Sequence, residues 1–214
     1  MSSEKLNKLK ESVINFEDES ADLTEKLLNE GVSTKDVLSV VSDALQIVGQ
    51  KYESHEYFLS ELMLCGDVAK RCIEKALPKI QQEKIEMAGT IVFGTVKGDI
   101  HDIGKTIVSS FLIGAGFLVH DIGVEVNDKT FVKQAKEKNA DIIAISALLS
   151  TTMLYMPEVI KALKNAGIKA KTIVGGRPVS EKFAKEIGAD GYAKNPTEAI
   201  EVCRRFMEEI QETK

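Results

Sequence analysis

Apolar residues recur along this chain at two different periods, and the period changes once. Over residues 1–87 the spacing is helical. Leu6, Leu9, Val13 and Phe16 form one stripe, Leu23, Leu27 and Leu28 a second, and Val37, Val41, Leu45 and Val48 a third. Ser33 stands just before the third stripe, where its hydroxyl can cap a helix, with Asp36 three residues on. A fourth helix is predicted after Tyr57, with Leu59, Leu62, Met63, Gly66, Ala69, Ile73, Ala76 and Leu77 on its apolar side and Pro78 near its end. A glycine in mid-helix costs about 1 kcal/mol relative to alanine, so Gly66 points to close approach by a neighbouring element. Four short amphipathic helices with brief connections predict a four-helix bundle.

Past the polar stretch Gln81-Gln82-Glu83-Lys84 the pattern is different. Apolar runs at 90–96, 117–119, 141–145, 172–174 and, more weakly, 191–193 alternate with helical segments at 103–115, 128–138, 152–166, 179–187 and 196–211. Strands that are continuously apolar and separated by helices predict a parallel sheet covered on both faces. The expected organisation is a helical bundle over 1–87, followed by a doubly wound five-stranded parallel α/β domain of the Rossmann or flavodoxin-like type over 88–214. Such sheets bind ligands beyond the carboxyl ends of their strands. The segments to inspect are therefore 96–104, 146–152 and 175–178.

Composition narrows the function classes. The chain has 214 residues, 43% of them hydrophobic and 29% charged, with a net charge of −5. No Lys/Arg-rich run stands out, which argues against a nucleic-acid or anionic-lipid partner. No apolar stretch approaches the roughly 20 residues needed to span a bilayer, and the first residues lack a signal-peptide core, so a cytoplasmic protein is expected. Cys65, Cys72 and Cys203 are odd in number and lack zinc-site spacing, and are read as small buried hydrophobes.

The loop after the first strand carries the candidate chemistry. Gly104-Lys105-Thr106 ends like a phosphate loop, but five residues, not four, lie between Gly98 and Gly104, which would misaim the amides that cradle phosphate. His101 is the more informative residue. At a strand's carboxyl end between two glycines it is exposed, and Asp99 can accept the hydrogen of whichever ring nitrogen His101 leaves unused. A carboxylate in that position fixes the tautomer and raises the basicity of a metal-ligating imidazole. No other His, Cys or acid cluster accompanies the pair. A metal bound here must therefore bring most of its ligands with it, as a macrocycle does.

Asp99-x-His101-x-x-Gly104, Ser146-x-Leu148 and Gly175-Gly176 together resemble the signature of cobalamin-binding modules of the methionine-synthase type. In that family the motif histidine replaces the cofactor's dimethylbenzimidazole on cobalt, and the displaced nucleotide tail enters a slot beside the sheet. The resemblance implies cobalamin or another corrinoid as cofactor, with His101 as the axial metal ligand. It implies cofactor contacts from Gly98, Asp99, Ile100, His101, Asp102, Ile103, Gly104, Ser146, Leu148, Gly175 and Gly176. The serine that hydrogen-bonds the motif aspartate in the family matches Thr152 here, with Ser150 close enough to compete. Small residues at Ser146 and Ala147, and bare backbone at Gly175-Gly176, suit passage of a tail.

The resemblance also extends to residues 1–87, which match a helical cap over the cofactor's upper face. Tyr52, Leu59 and Leu62 are implied to line that cap, although the family often has phenylalanine at the position of Tyr52 and proline at that of Ser60. His55 and His120 are assigned no role. A chain with only these two modules is similar to the free-standing corrinoid proteins of anaerobic methyltransferase systems. Such a protein carries a methyl group and is not an enzyme on its own. Its implied partners are a substrate:corrinoid methyltransferase, a second methyltransferase acting on coenzyme M or tetrahydrofolate, and an ATP-dependent reductive activator. The alternatives are a cobalamin-sensing regulator, disfavoured by the absence of tryptophan and of basic excess, and a mutase subunit, which would leave residues 1–87 without a use.

Overall fold

A computed structural model of the chain describes residues 2–83, 85 and 87–212. It divides into two compact units: residues 1–87 with Ser110–Gly116, and Ala88–Ser109 with Phe117–Lys214. Lys84, at the end of the polar stretch, lies outside the described residues.

The helical unit contains α1 (Ser2–Ile14), α2 (Ser20–Asn29), α3 (Thr34–Glu53) and α4 (Leu59–Glu83). Ser33 caps α3 by accepting from the Asp36 N–H at 3.4 Å. The predicted stripes supply the core through Leu9, Val13, Leu27, Leu28, Val37, Val41, Leu45, Val48, Ala69, Ile73 and Ala76. Two expectations are corrected. Phe16 falls beyond the end of α1 in a left-handed turn (φ 50°) and is exposed, with its ring edge-on to Tyr57. Met63 and Leu77 face outward, while Cys65, Val68 and Cys72 take the buried positions of α4. Pro78 stands near the end of α4, as expected, and the helix runs on to Glu83. The close approach predicted at Gly66 is made by a helix of the second half of the chain. A Cβ there would sit 3.2 Å from the Phe111 ring and from Ser110 Cβ.

The α/β unit runs β1 (Thr90–Thr95), α5 (Ile103–Gly114), β2 (Leu118–Asp121), α6 (Asp128–Glu137), β3 (Ile142–Ser146), a 3-10 turn (Met153–Tyr155), α7 (Met156–Asn165), β4 (Lys171–Gly175), α8 (Glu181–Glu186), β5 (Gly191–Ala193) and α9 (Pro196–Glu212). The last turns of α5, within Ser110–Gly116, group with the helical unit. The five strands are all parallel in the order β2-β1-β3-β4-β5, the flavodoxin-like arrangement. Strand order reverses between β1 and β3, which opens the crevice at their carboxyl ends. Among the described residues no helix is long and apolar enough to cross a membrane.

Candidate functional site

Sheet register brings the distant sequence motifs together. Thr95, the last residue of β1, pairs with Ser146 of β3, and Ser146 pairs with Gly175 of β4, so the three stand in one row across the strand ends. Beyond that row the β1 loop turns at Gly98 (φ 82°), and the Asp99 N–H bonds the Val96 carbonyl at 3.1 Å. This turn directs the Asp99 side chain into the protein, where it is fully buried, and leaves His101 at the surface with its side chain 45% exposed.

Asp99 uses both oxygens fully. One accepts from the His101 backbone N–H at 3.0 Å and from His101 Nδ1 at 2.7 Å. The other accepts from the Leu148 N–H at 2.8 Å and from Thr152 Oγ1 at 2.6 Å. Burial pushes the carboxyl pKa up, but the Thr152 hydroxyl, the Leu148 N–H and the two His101 donors outweigh it and hold Asp99 well below the usual carboxylate range. An ionised Asp99 beside Nδ1 keeps the hydrogen on that nitrogen. The Nε2 lone pair is left free and directed away from the carboxylate, the form in which imidazole binds metals.

The choice between hydroxyls is resolved by the 3-10 turn. It brings Thr152 onto Asp99, whereas Ser150 is exposed. Because Asp99 is depressed when folded, its stabilisation is complete above the unfolded value of about 4 and is lost as pH falls toward the folded one. Replacing Thr152 by valine is expected to cost about 1.5–3 kcal/mol at neutral pH. The difference from wild type should narrow on acidification below about pH 4. Denaturant unfolding of both proteins at neutral and acid pH measures this, and a difference independent of pH would mean that Thr152 acts through packing alone.

The remaining predicted residues divide by position. Ile100, Asp102, Ile103, Gly104 and Leu148 are exposed around His101, and large apolar groups left open at strand ends are unusual without a ligand or partner. A Cβ on Gly104 would meet nothing within 4 Å, so no protein atom accounts for a glycine there. Gly176 is the opposite case. At φ 119° a Cβ would lie 1.9 Å from the Ala147 carbonyl oxygen, and on Gly175 it would lie 2.8 Å from that of Ala193. The glycine pair lets two loops meet backbone to backbone beside Ser146.

In the helical unit Tyr52 is half-buried and Leu59 exposed, but Leu62 is 1% exposed and belongs to the core, which corrects its expected place on a lining face. Phe58, Met63 and Leu64 are exposed there instead. His55 is exposed at the end of α3, and His120 is half-buried in β2.

Several contributors escaped sequence reasoning. Thr95, fully buried, donates to the His101 carbonyl at 3.1 Å, and the only signal was a hydroxyl ending an otherwise apolar strand. Leu149 and Leu154 are exposed beside Thr152, and the buried Lys105 is ion-paired with the partly exposed Asp121. Among the described residues no group of three or more His, Cys, Asp or Glu side chains is placed to hold a metal. The site thus offers a single imidazole nitrogen and open space over Gly104, beside strand ends where Gly175 and Gly176 bring backbone against backbone. Those features fit a flat metal macrocycle that is complete but for one axial position and carries a tail.

Comparison with known proteins agrees with that class of ligand. A family described as a B12 binding domain matches residues 89–201, and a second with the same description matches residues 5–76. The chain belongs to the B12-binding corrinoid proteins, and its cofactor is a corrinoid. A corrinoid protein of Desulfitobacterium hafniense (strain Y51) is 37% identical over 209 residues, covering 94% of this chain and 97% of the relative. Trimethylamine corrinoid protein 1 of Methanosarcina acetivorans is 38% identical over 206 residues, covering 94% and 95%. Among solved structures, a cobalamin-binding protein from Desulfitobacterium hafniense DCB-2 superposes with a TM-score of 0.79 at 29% identity, covering 94% of this chain and 98% of that one.

Proposed function

We propose that this protein is the corrinoid subunit of a multi-component methyltransferase system, a methyl carrier with no catalytic step of its own. The observation that carries this reading is the exposed His101, whose Nδ1 is tied to a fully buried, four-bonded Asp99 and whose Nε2 is free. A corrinoid bound here would supply the chemistry, a metal centre able to receive a methyl group from one partner and release it to another. His101 Nε2 would hold the metal. Asp99, itself held by Thr152, orients the imidazole by engaging Nδ1 and leaves Nε2 for the metal. Gly104 leaves room for the macrocycle's edge, and Gly175 and Gly176 keep the strand ends beside Ser146 free of side chains where a nucleotide tail would pass.

The partners in this reading are a substrate:corrinoid methyltransferase, a methyltransferase delivering to coenzyme M or tetrahydrofolate, and an ATP-dependent reductive activator. The printed name of the trimethylamine relative favours a methylated amine as the first donor. The direct test is reconstitution with hydroxocobalamin, which should leave a single corrinoid bound per chain after gel filtration. The reduced, loaded protein should then take up methyl groups from a methylated amine only when a cognate methyltransferase is present. Failure to retain corrinoid would end the proposal, and methyl uptake without any partner would overturn the carrier role.

A further inference from the structure

Lys105 runs against two ordinary rules. Its side chain is only 3% exposed, and it sits in the first turn of α5, where the helix dipole disfavours a cation. Its ammonium is paired with Asp121, the last residue of β2, which is 40% exposed. Asp121 also accepts from the Gly123 N–H at 2.8 Å through its other oxygen.

The segment that begins there is laced to the His101 loop from the other side. The Gly123 carbonyl accepts from the Thr95 N–H at 3.1 Å, the Val126 N–H bonds the Thr95 carbonyl at 2.9 Å, and the Glu125 N–H bonds the Asp99 carbonyl at 2.9 Å. Thr95 in turn donates through its hydroxyl to the His101 carbonyl. One strap, residues 121–126, therefore grips the loop before Asp99 by backbone bonds and after His101 by the Lys105–Asp121 pair.

We infer that Lys105 and Asp121 are positioning residues that set how firmly His101 can hold a metal. They act by fixing both ends of the loop that carries it rather than by touching the cofactor. The inference rests on the axial role proposed for His101. Losing an outer partner of a metal ligand commonly weakens the metal about 10–100-fold. A tenfold weaker hold shifts the balance between ligated and unligated forms of the loaded protein tenfold toward the unligated one.

The experiment compares Lys105→Met, Asp121→Asn and their combination with wild type, using Lys171→Met as control. That control removes a partly exposed ion pair to Glu209 on α9. Two readouts are taken at one neutral pH: the ligated-to-unligated ratio in the visible spectrum of the methylcobalamin-loaded protein, and amide-hydrogen exchange over residues 96–104 in the unloaded protein. The pair variants should lower the ligated-to-unligated ratio about tenfold and speed exchange in the loop. The double variant should be no worse than either single one, and Lys171→Met should change neither. If the pair variants match Lys171→Met in both readouts, the clamp is overturned while the axial role stands. If wild type gives no ligated spectrum, the axial role fails and the clamp fails with it. Should Lys105→Met not fold, Asp121→Asn at its half-open site carries the same test.

Discussion

His101→Ala, loaded with methylcobalamin at neutral pH, is expected to display the spectrum of a corrinoid without a lower nitrogen ligand, whereas wild type displays the ligated one. The reason is local. Nε2 of His101 is a free nitrogen lone pair at the open end of the β1–β3 crevice, and its other ring nitrogen is committed to Asp99. Corrinoid affinity should fall at least as far as the roughly tenfold associated with loss of an outer partner. The unloaded variant should remain folded, because the ring it loses is exposed. Added imidazole should restore the ligated spectrum by entering the vacated space. Identical spectra for variant and wild type would remove His101 from the metal.

Gly176→Ala is expected to do its damage before any cofactor arrives. Its φ of 119° lies where only glycine rests easily, and the added methyl would fall 1.9 Å from a backbone oxygen that has no side-chain freedom to yield. Strain and overpacking together predict a loss of about 3–6 kcal/mol, a drop in melting temperature on the order of 10–20 °C for a chain of this size. Gly104→Ala provides the contrast at the same end of the sheet. No atom lies within 4 Å of its added carbon, and alanine is the better helix former, so the unloaded protein should be as stable as wild type or slightly more so. Its corrinoid binding should nevertheless weaken. Thermal unfolding and corrinoid titration separate the two glycines. Equal melting temperatures for Gly176→Ala and wild type would mean that the loops at Ala147 part without cost.

Where periodicity was strong, the sequence was a good guide. The five strands and nine helices of the described residues follow the apolar runs and stripes to within a few residues, because burial on both sheet faces or on one helix face leaves a repeating trace. Weak places had physical reasons. The second strand was read as 117–119 but runs Leu118–Asp121, since an edge strand that is half open needs no continuous apolar run and tolerates His120 and Asp121. Phe16 continued the α1 stripe in spacing, yet the backbone turns left-handed beneath it. Leu62 and Leu59 share a helix and a residue type, and only packing reveals that one is core and the other surface.

At the site, the spacing of Asp99, His101 and Gly104 was legible because those residues lie on one loop. The choice of Thr152 over Ser150 was not, because it depends on how a 3-10 turn rotates two hydroxyls two residues apart. Lys105 looked like the remnant of a phosphate loop. Its partner lies on another strand, and nothing in the local pattern announces such a pairing.

The saturation of Asp99 has a kinetic corollary. The carboxylate grips not only the imidazole of His101 but also that residue's own amide, so in the proposed role a ring released from the metal would remain on a short leash. Its return is then an intramolecular step at high effective concentration, not a search through solvent. Such a tether would let the lower coordination bond be broken and remade many times over while the macrocycle stays in its berth.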